Sequence, residues 1–233
     1  MKTIMITGAS KGIGLETAVA LSENDSKFTN IVLLGRPSKR FEQSVAELRA
    51  KTSEKEIIPI EADLSNPDVV DNVFEKLDDL GVKLDTIVNN AGFTKPASIN
   101  ETKMDDFEMT MRVNLYSPFR IIQAALLGGH PLKHIINIAS TAGLTGRAGW
   151  LTYSASKAAI INMSEVLRDE LKPYGIDVTC LSPGRCATDL RRQLAPDEDP
   201  STIMQPQQVA KVIRMMTEST GTLLNSQNLV VRT

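Results

Sequence analysis

Thr7-Gly8-Ala9-Ser10-Lys11-Gly12-Ile13-Gly14 follows a short β-rich run, Lys2–Ile6, and opens a helix-periodic run over Gly12–Glu23. Glycines so spaced let the backbone turn tightly and approach a pyrophosphate, while the helix N-terminus offers free N–H groups and positive potential. A plain glycine turn needs neither a strand before it nor a helix after it. Both are present here, which is the context a dinucleotide-binding fingerprint requires. Gly8, Ser10, Lys11, Gly12, Ile13 and Gly14 are therefore candidate cofactor-binding residues.

The alternation that frames this loop continues along the chain. Further strands are predicted at Asn30–Leu34, Glu56–Ile60, Leu84–Asn89, His134–Ile138, Asp177–Leu181 and Leu223–Val231. Between them, helices are predicted over Phe41–Thr52, Asp68–Leu80, Lys103–Leu127, Tyr153–Leu171 and Gln207–Glu218. Runs such as Ile31-Val32-Leu33-Leu34 and Ile135-Ile136-Asn137-Ile138 are nearly continuous in apolar residues, as expected of parallel strands covered on both faces. The expected architecture is an α/β Rossmann fold: one domain over residues 1–233 with a doubly wound, seven-stranded parallel sheet. Its cofactor half spans about residues 1–92 and its catalytic and substrate half about 93–233. Ligands of such sheets bind outside the carboxyl ends of the strands, where the strand order reverses.

Composition narrows the partners. Of 233 residues, 42% are hydrophobic and 23% charged, with a net charge of -2, which points to neither nucleic acid nor an anionic membrane. No apolar run approaches the roughly 18–20 residues a membrane span needs. The N-terminal apolar stretch is too short for a signal peptide, and Cys180 and Cys186 make no disulfide framework, so a cytoplasmic protein is expected. His130 and His134 lack metal-ligand spacing, so no metal is expected.

Chemistry-bearing residues fall at the strand ends. After the second strand, Leu34-Gly35-Arg36 carries no acid to meet a free ribose 2′-hydroxyl, and Arg36 and Lys11 both suit a 2′-phosphate. NADP(H) is therefore expected over NAD(H). Asp63 and Leu64 follow the third strand, where Asp63 suits an adenine amino group or a helix cap. Asn89-Asn90-Ala91-Gly92 follow the fourth, Ala91 and Gly92 being small enough for the backbone to pass a ribose. Asn114 interrupts a helix pattern, marking either a local irregularity that frees a carbonyl or a satisfied polar group of the core. Ser140 ends the fifth strand, facing the same crevice. Tyr153 and Lys157 stand four apart at the head of a helix, hence on one face. A cation beside a phenol favours phenolate, so a lowered Tyr153 pKa is expected, and such a group exchanges protons with a carbonyl or an alcohol.

With these residues in their order, the chain resembles the short-chain dehydrogenase/reductase family over almost its whole length. The family's cofactor motif appears as Thr7-Gly8-x-x-x-Gly12-x-Gly14 and its Asn-Asn-Ala-Gly at 89–92. Its catalytic asparagine, serine, tyrosine and lysine fall on Asn114, Ser140, Tyr153 and Lys157. The resemblance places Pro183-Gly184 after the sixth strand and gives Thr188 a contact with the cofactor amide. It further implies that Tyr153 gives the proton in reduction and that Lys157 holds the nicotinamide ribose. Ser140 would polarise the carbonyl, and Asn114 would hold a water of a relay through Lys157.

The segment after Pro183-Gly184 should close over the substrate. It is short, without the long apolar lid of a steroid enzyme, and Arg185, Arg191 and Arg192 suggest an anionic substrate. Arg147 and Trp150 would line the other side of the pocket. A similarity to reductase modules for ketose phosphates favours a small polar carbonyl substrate. The chain lacks the Asp-Gly-Gly tail of 3-oxoacyl-carrier-protein reductases, although Arg168 stands where those have a carrier-binding arginine. The expected function is NADPH-dependent reduction of a ketone or aldehyde. Alternatives are a 3-oxoacyl-thioester reductase and a non-catalytic NADPH-binding redox sensor. Apolar faces with Ile121, Ile122 and Leu126, and with Ile160, Met163 and Leu167, suit either a homodimer or homotetramer interface or plain core packing.

Overall fold

Ile31 and Leu33 turn to one face of their strand and Val32 and Leu34 to the other, and all four are fully buried, in two separate clusters. A strand apolar on both faces must be covered on both. The computed structural model describes residues 1–218, 224 and 227–232. Its strands are β1 (Thr3–Thr7), β2 (Asn30–Gly35), β3 (Glu56–Glu61), β4 (Thr86–Asn89), β5 (His134–Ile138), β6 (Asp177–Pro183) and β7 (Asn228–Val231). They form one parallel seven-stranded sheet in the order β3-β2-β1-β4-β5-β6-β7, so the order reverses between β1 and β4.

The helices are α1 (Gly12–Leu21), α2 (Lys39–Lys51), α3 (Val69–Asp79), α4 (Met104–Met111), α5 (Ser117–Leu127), α6 (Leu151–Leu171), α7 (Asp189–Leu194) and α8 (Pro206–Thr217). One core joins α1, α2 and α8 to the sheet through Leu21, Phe41, Leu48, Val209 and Ile213. The opposite core is filled by α3, α5 and the end of α6 through Val73, Leu77, Ile121, Ile122 and Leu171. Ile160 is also buried, and Met163 and Leu167 pack against buried clusters, so most of the apolar residues weighed as an oligomer face serve the core.

A buried polar chain sets the position of α6 on the sheet. Asn89 Nδ2 donates to Asn137 Oδ1 (2.8 Å), Asn137 Nδ2 to Ser164 Oγ (2.9 Å), and Ser164 Oγ to the Ile160 carbonyl (2.6 Å). Buried donors of this kind need partners, and the Asn137–Ser164 bond ties one face of α6 to the sheet.

The sequence pattern is corrected in three places. Lys103–Leu127 is not one helix but α4, a π-helical turn over Arg112–Tyr116, and α5. Helix α7 has no counterpart among the predicted helices. The last strand begins at Asn228; Leu223, where the apolar run begins, lies outside the described residues. Among the described residues no helix is long and apolar enough to cross a membrane.

Candidate active site

A cleft of about 480 Å³ opens across the carboxyl ends of the strands, where the sheet order reverses. Every residue marked in the sequence for cofactor binding lines it except Gly14, which lies behind the loop. Ser140, Tyr153 and Lys157 also line it, as do Arg147, Trp150, Arg185 and Arg191; Asn114 and Arg192 do not.

The glycine loop sits at one end of this cleft. Lys11 is the N-cap of α1 but offers it no side-chain hydrogen bond, leaving the first N–H groups for a ligand. A Cβ at Gly14 would stand 2.4 Å from the Gly8 carbonyl oxygen and 2.5 Å from Asn90 Nδ2, so only glycine lets helix and loop meet. Asn90 also holds the loop: its Nδ2 donates to the carbonyls of Thr7 (2.9 Å) and Gly8 (3.3 Å). Thr7 Oγ1 accepts from the N–H groups of Asn90 and Ala91, both at 2.9 Å, and so ties β1 to the end of β4. Asp63 accepts from the Ser65 N–H at 3.0 Å, in a turn at the cleft edge. Lys11, Arg36 and Arg40 line this end; Asp189 lies 2.6 Å from Lys11 and 3.7 Å from Arg40, and among the described residues Arg36 has no carboxylate partner.

At the other end, Tyr153 and Lys157 point inward from the first turns of α6, and both are buried. Ser140 Oγ accepts from the Ala142 N–H (3.1 Å), which orients it, and the Ser140 side chain hydrogen-bonds the Tyr153 phenol. Lys157 Nζ donates to the Ile138 carbonyl at 2.8 Å and stands 5.8 Å from the centre of the Tyr153 ring. Asn114 lies in the π-helical turn, where the Ser117 N–H reaches back to the Arg112 carbonyl. Its Oδ1 accepts from Phe93 N–H (2.8 Å), and its Nδ2 donates to the Phe93 carbonyl (3.0 Å) and to Ser156 Oγ (2.9 Å). Both readings of Asn114 thus meet: an irregular turn and a fully satisfied buried amide.

The expected acidity of Tyr153 is reversed. Burial pushes its phenol up to about 12, against smaller opposing effects from the Ser140 hydrogen bond and the Arg191 charge. Burial also pushes Lys157 down to about 8. Spacing on a helix counts the lysine's charge but not the desolvation of both groups, and here desolvation wins. Cys186 is likewise buried, with its thiol pushed up to about 11, which leaves it the weak nucleophile of a structural cysteine.

The arginines after β6 are largely occupied by the chain's own carboxylates. Arg191 grips Glu198 with two bonds, Nε to Oε2 at 2.5 Å and Nη2 to Oε1 at 2.7 Å. Arg185 reaches the same carboxylate at 3.4 Å, and Arg192 lies 3.8 Å from Asp189. Asp189 also holds Lys11 at 2.6 Å, joining the glycine loop to α7 across the cleft. Thr188 caps α7, its Oγ1 accepting from the Arg191 N–H at 3.1 Å.

The family model described as short chain dehydrogenase matches residues 2–199. The chain belongs to the short-chain dehydrogenase family. It is 33% identical over 219 residues to a 3-oxoacyl-[acyl-carrier-protein] reductase of Synechocystis, covering 91% of this chain and 87% of that one. Among solved structures, a short chain dehydrogenase from Escherichia coli CFT073, complexed with NADPH, superposes with a TM-score of 0.88 at 25% identity, over 98% and 95% of the chains. One from Burkholderia cenocepacia J2315, in complex with NADP, gives 0.86 at 28% identity over 99% and 96%. The protein is accordingly an oxidoreductase.

Several residues that build this short-chain dehydrogenase site escape the sequence pattern. Gly143 packs directly on the backbone of α6, Glu198 neutralises two arginines, and Arg40 joins Lys11 and Arg36 at the cationic end. Only for Arg40 was there a signal, its place four residues after Arg36 in the first turn of α2. Asn114→Ala should cost about 1–3 kcal/mol, because it strands the buried partners at Phe93 and Ser156. A urea-unfolding midpoint equal to wild type would contradict this role.

Proposed function

We propose that this dehydrogenase uses NADPH to reduce a ketone or aldehyde to an alcohol. The observation that carries the proposal is the convergence of Ser140, Tyr153 and Lys157 at one end of a cleft whose other end holds Lys11, Arg36 and Arg40. The residues fit the dinucleotide: an uncapped helix N-terminus and the close approach at Gly14 suit a pyrophosphate, and the cations suit a 2′-phosphate. Two solved relatives hold NADPH or NADP. Lys157, with a single carbonyl partner for its three donors, has two left for ribose hydroxyls. When bound, the nicotinamide supplies the hydride.

The protein's part is to hold the carbonyl and deliver a proton. Ser140 Oγ and the Tyr153 hydroxyl would both donate to the substrate oxygen, stabilising the charge that develops on it. Tyr153 then gives up its proton, and Lys157 stabilises the phenolate left behind, which the buried phenol alone holds poorly. Refilling Tyr153 would run through Lys157 and a water that the π-helical turn at Asn114 would hold.

For the substrate, the cleft that holds Tyr153 has an apolar wall, made by Phe93, Met109, Val113, Leu190 and Leu194. That supports a carbonyl compound with an apolar body more than a ketose phosphate, whose suggested anchors Arg185, Arg191 and Arg192 are paired internally. A 3-oxoacyl thioester is a second reading, favoured by the Synechocystis relative. Arg168 argues against a carrier protein, since its Nε faces the Val178 carbonyl and its Nη2 is buried without a partner. A homo-oligomer, if formed on α5 and α6, would use the exposed Phe119, Leu127 and Val166.

Cofactor choice tests the cationic end. NADPH should bind the wild type more tightly than NADH, and Arg36→Ala should weaken NADPH by about 10–100-fold, the worth of one charged hydrogen bond, while barely touching NADH. Equal loss for both cofactors, measured by titration calorimetry, would remove Arg36 from the 2′-phosphate site.

A further inference from the structure

We infer that Arg147, lying over the indole of Trp150 at the rim of the cleft, binds an anionic group that the substrate carries away from its carbonyl. This assignment rests on the carbonyl-reductase reading and names the substrate class more closely: a carbonyl, an apolar segment, and a terminal carboxylate or phosphate.

Four arginines stand near the substrate end, and three are taken. Glu198 is clamped by Arg191 and reached by Arg185, and Arg192 is drawn to Asp189. The Arg191 hydrogen bonds, and then its charge, hold the Glu198 carboxyl below its usual range, as in a pair already satisfied. Arg147 takes part in no ion pair among the described residues, yet it lines the cleft.

Arg147 is not a loose surface charge either. Its guanidinium carbon lies 5.3 Å from the centre of the Trp150 ring. A guanidinium stacked on an aromatic face keeps its in-plane N–H edges open, and those edges match carboxylate and phosphate oxygens two at a time. Trp150 is itself held in place. Arg191, immobilised by Glu198, also sits 5.3 Å from its centre, and Ala97 N–H donates to the Gly149 carbonyl at 2.9 Å just before it. The cation is thus aimed by a fixed platform, which lowers the entropy lost on binding.

The position sets the ligand's shape. Trp150 precedes Tyr153 by three residues at the head of α6, roughly one helical turn or about 5 Å. Phe93, Met109, Val113 and Leu194 give the same cleft an apolar wall with no polar side-chain partner. A substrate whose carbonyl meets Tyr153 would therefore run an apolar segment along this wall and place its anion at Arg147.

Trp150 is the one tryptophan of the chain, so its fluorescence reports this site without any turnover. The full-length protein, saturated with NADP+, would be titrated with pentanoate, butyl phosphate and 1-pentanol. The expected result is a saturable change with one or both anions and none with the alcohol. Arg147→Gln should raise the anion's Kd about 10-fold or more, and Arg147→Lys should restore part of it, with NADP+ binding unchanged in both. Whichever of the two anions binds more tightly identifies the terminal group. No saturable change in wild type, an unchanged Kd in Arg147→Gln, or pentanol binding as tightly as pentanoate would each overturn the assignment. Anion binding at Arg147 in a protein that reduces no ketone would instead sink the reductase reading and leave this site standing.

Discussion

Tyr153→Phe is expected to lower kcat for carbonyl reduction by about 10²–10⁴-fold, the usual worth of a positioned proton donor. The ring still packs where it did, so NADPH affinity and folding should hold. The structure also fixes the sign of the pH dependence. Burial holds the phenol up to about 12, so Tyr153 keeps its proton through neutral and mildly alkaline solution. Reduction should therefore not decline there through loss of its proton donor. Oxidation of the alcohol needs the phenolate and should rise with pH over the same range. Steady-state rates in both directions check this, and retained activity in Tyr153→Phe would remove the residue from the chemistry.

The second large effect is expected at Gly143, a residue with no chemistry of its own. A Cβ there would stand 2.5 Å from the Lys157 carbonyl carbon, 2.6 Å from its oxygen and 2.8 Å from the Ala158 nitrogen. These are backbone atoms inside α6, which cannot step aside. In Gly143→Ala the short 3-10 turn Thr141–Gly143 has to lift, and Ser140, which caps that turn, moves with it. Displacing a reacting group by about 1 Å costs on the order of 10²-fold in rate. The overpacking itself should cost about 1–3 kcal/mol of stability. Cofactor binding at the glycine loop is remote and should persist. Wild-type kcat together with a wild-type urea midpoint would show that the loop has slack the structure does not reveal.

These two residues mark what was and was not legible in the sequence. The fold was legible because a fully covered parallel strand writes itself as a run such as Ile135-Ile136-Asn137-Ile138, and because Gly8, Gly12 and Gly14 stand between a strand and a helix. Tyr153 and Lys157 were legible because four residues on a helix make neighbours. Gly143 was not, since its need comes from contact with α6, not from its own turn. The direction of the Tyr153 pKa was missed for a related reason: spacing shows the charge nearby but not how deeply both groups are buried. The occupation of Arg185 and Arg191 by Glu198 was hidden because an acid some residues downstream looks like loop composition until the chain folds back. The π-helical turn at Asn114 was half visible, as an asparagine where a helix does not want one.

The central claim is that hydride passes from NADPH to a carbonyl held beside Tyr153. The most direct measurement uses NADPH deuterated at the transferring C4 position, with 3-oxoacyl thioesters, simple ketones bearing a terminal carboxylate or phosphate, and aldehydes as acceptors. Mass spectrometry of the product alcohol should find deuterium on the carbinol carbon, formed about 10²–10⁴-fold more slowly by Tyr153→Phe. Tight NADPH binding without label transfer to any acceptor would contradict the account and point to a protein that senses the cofactor without consuming it.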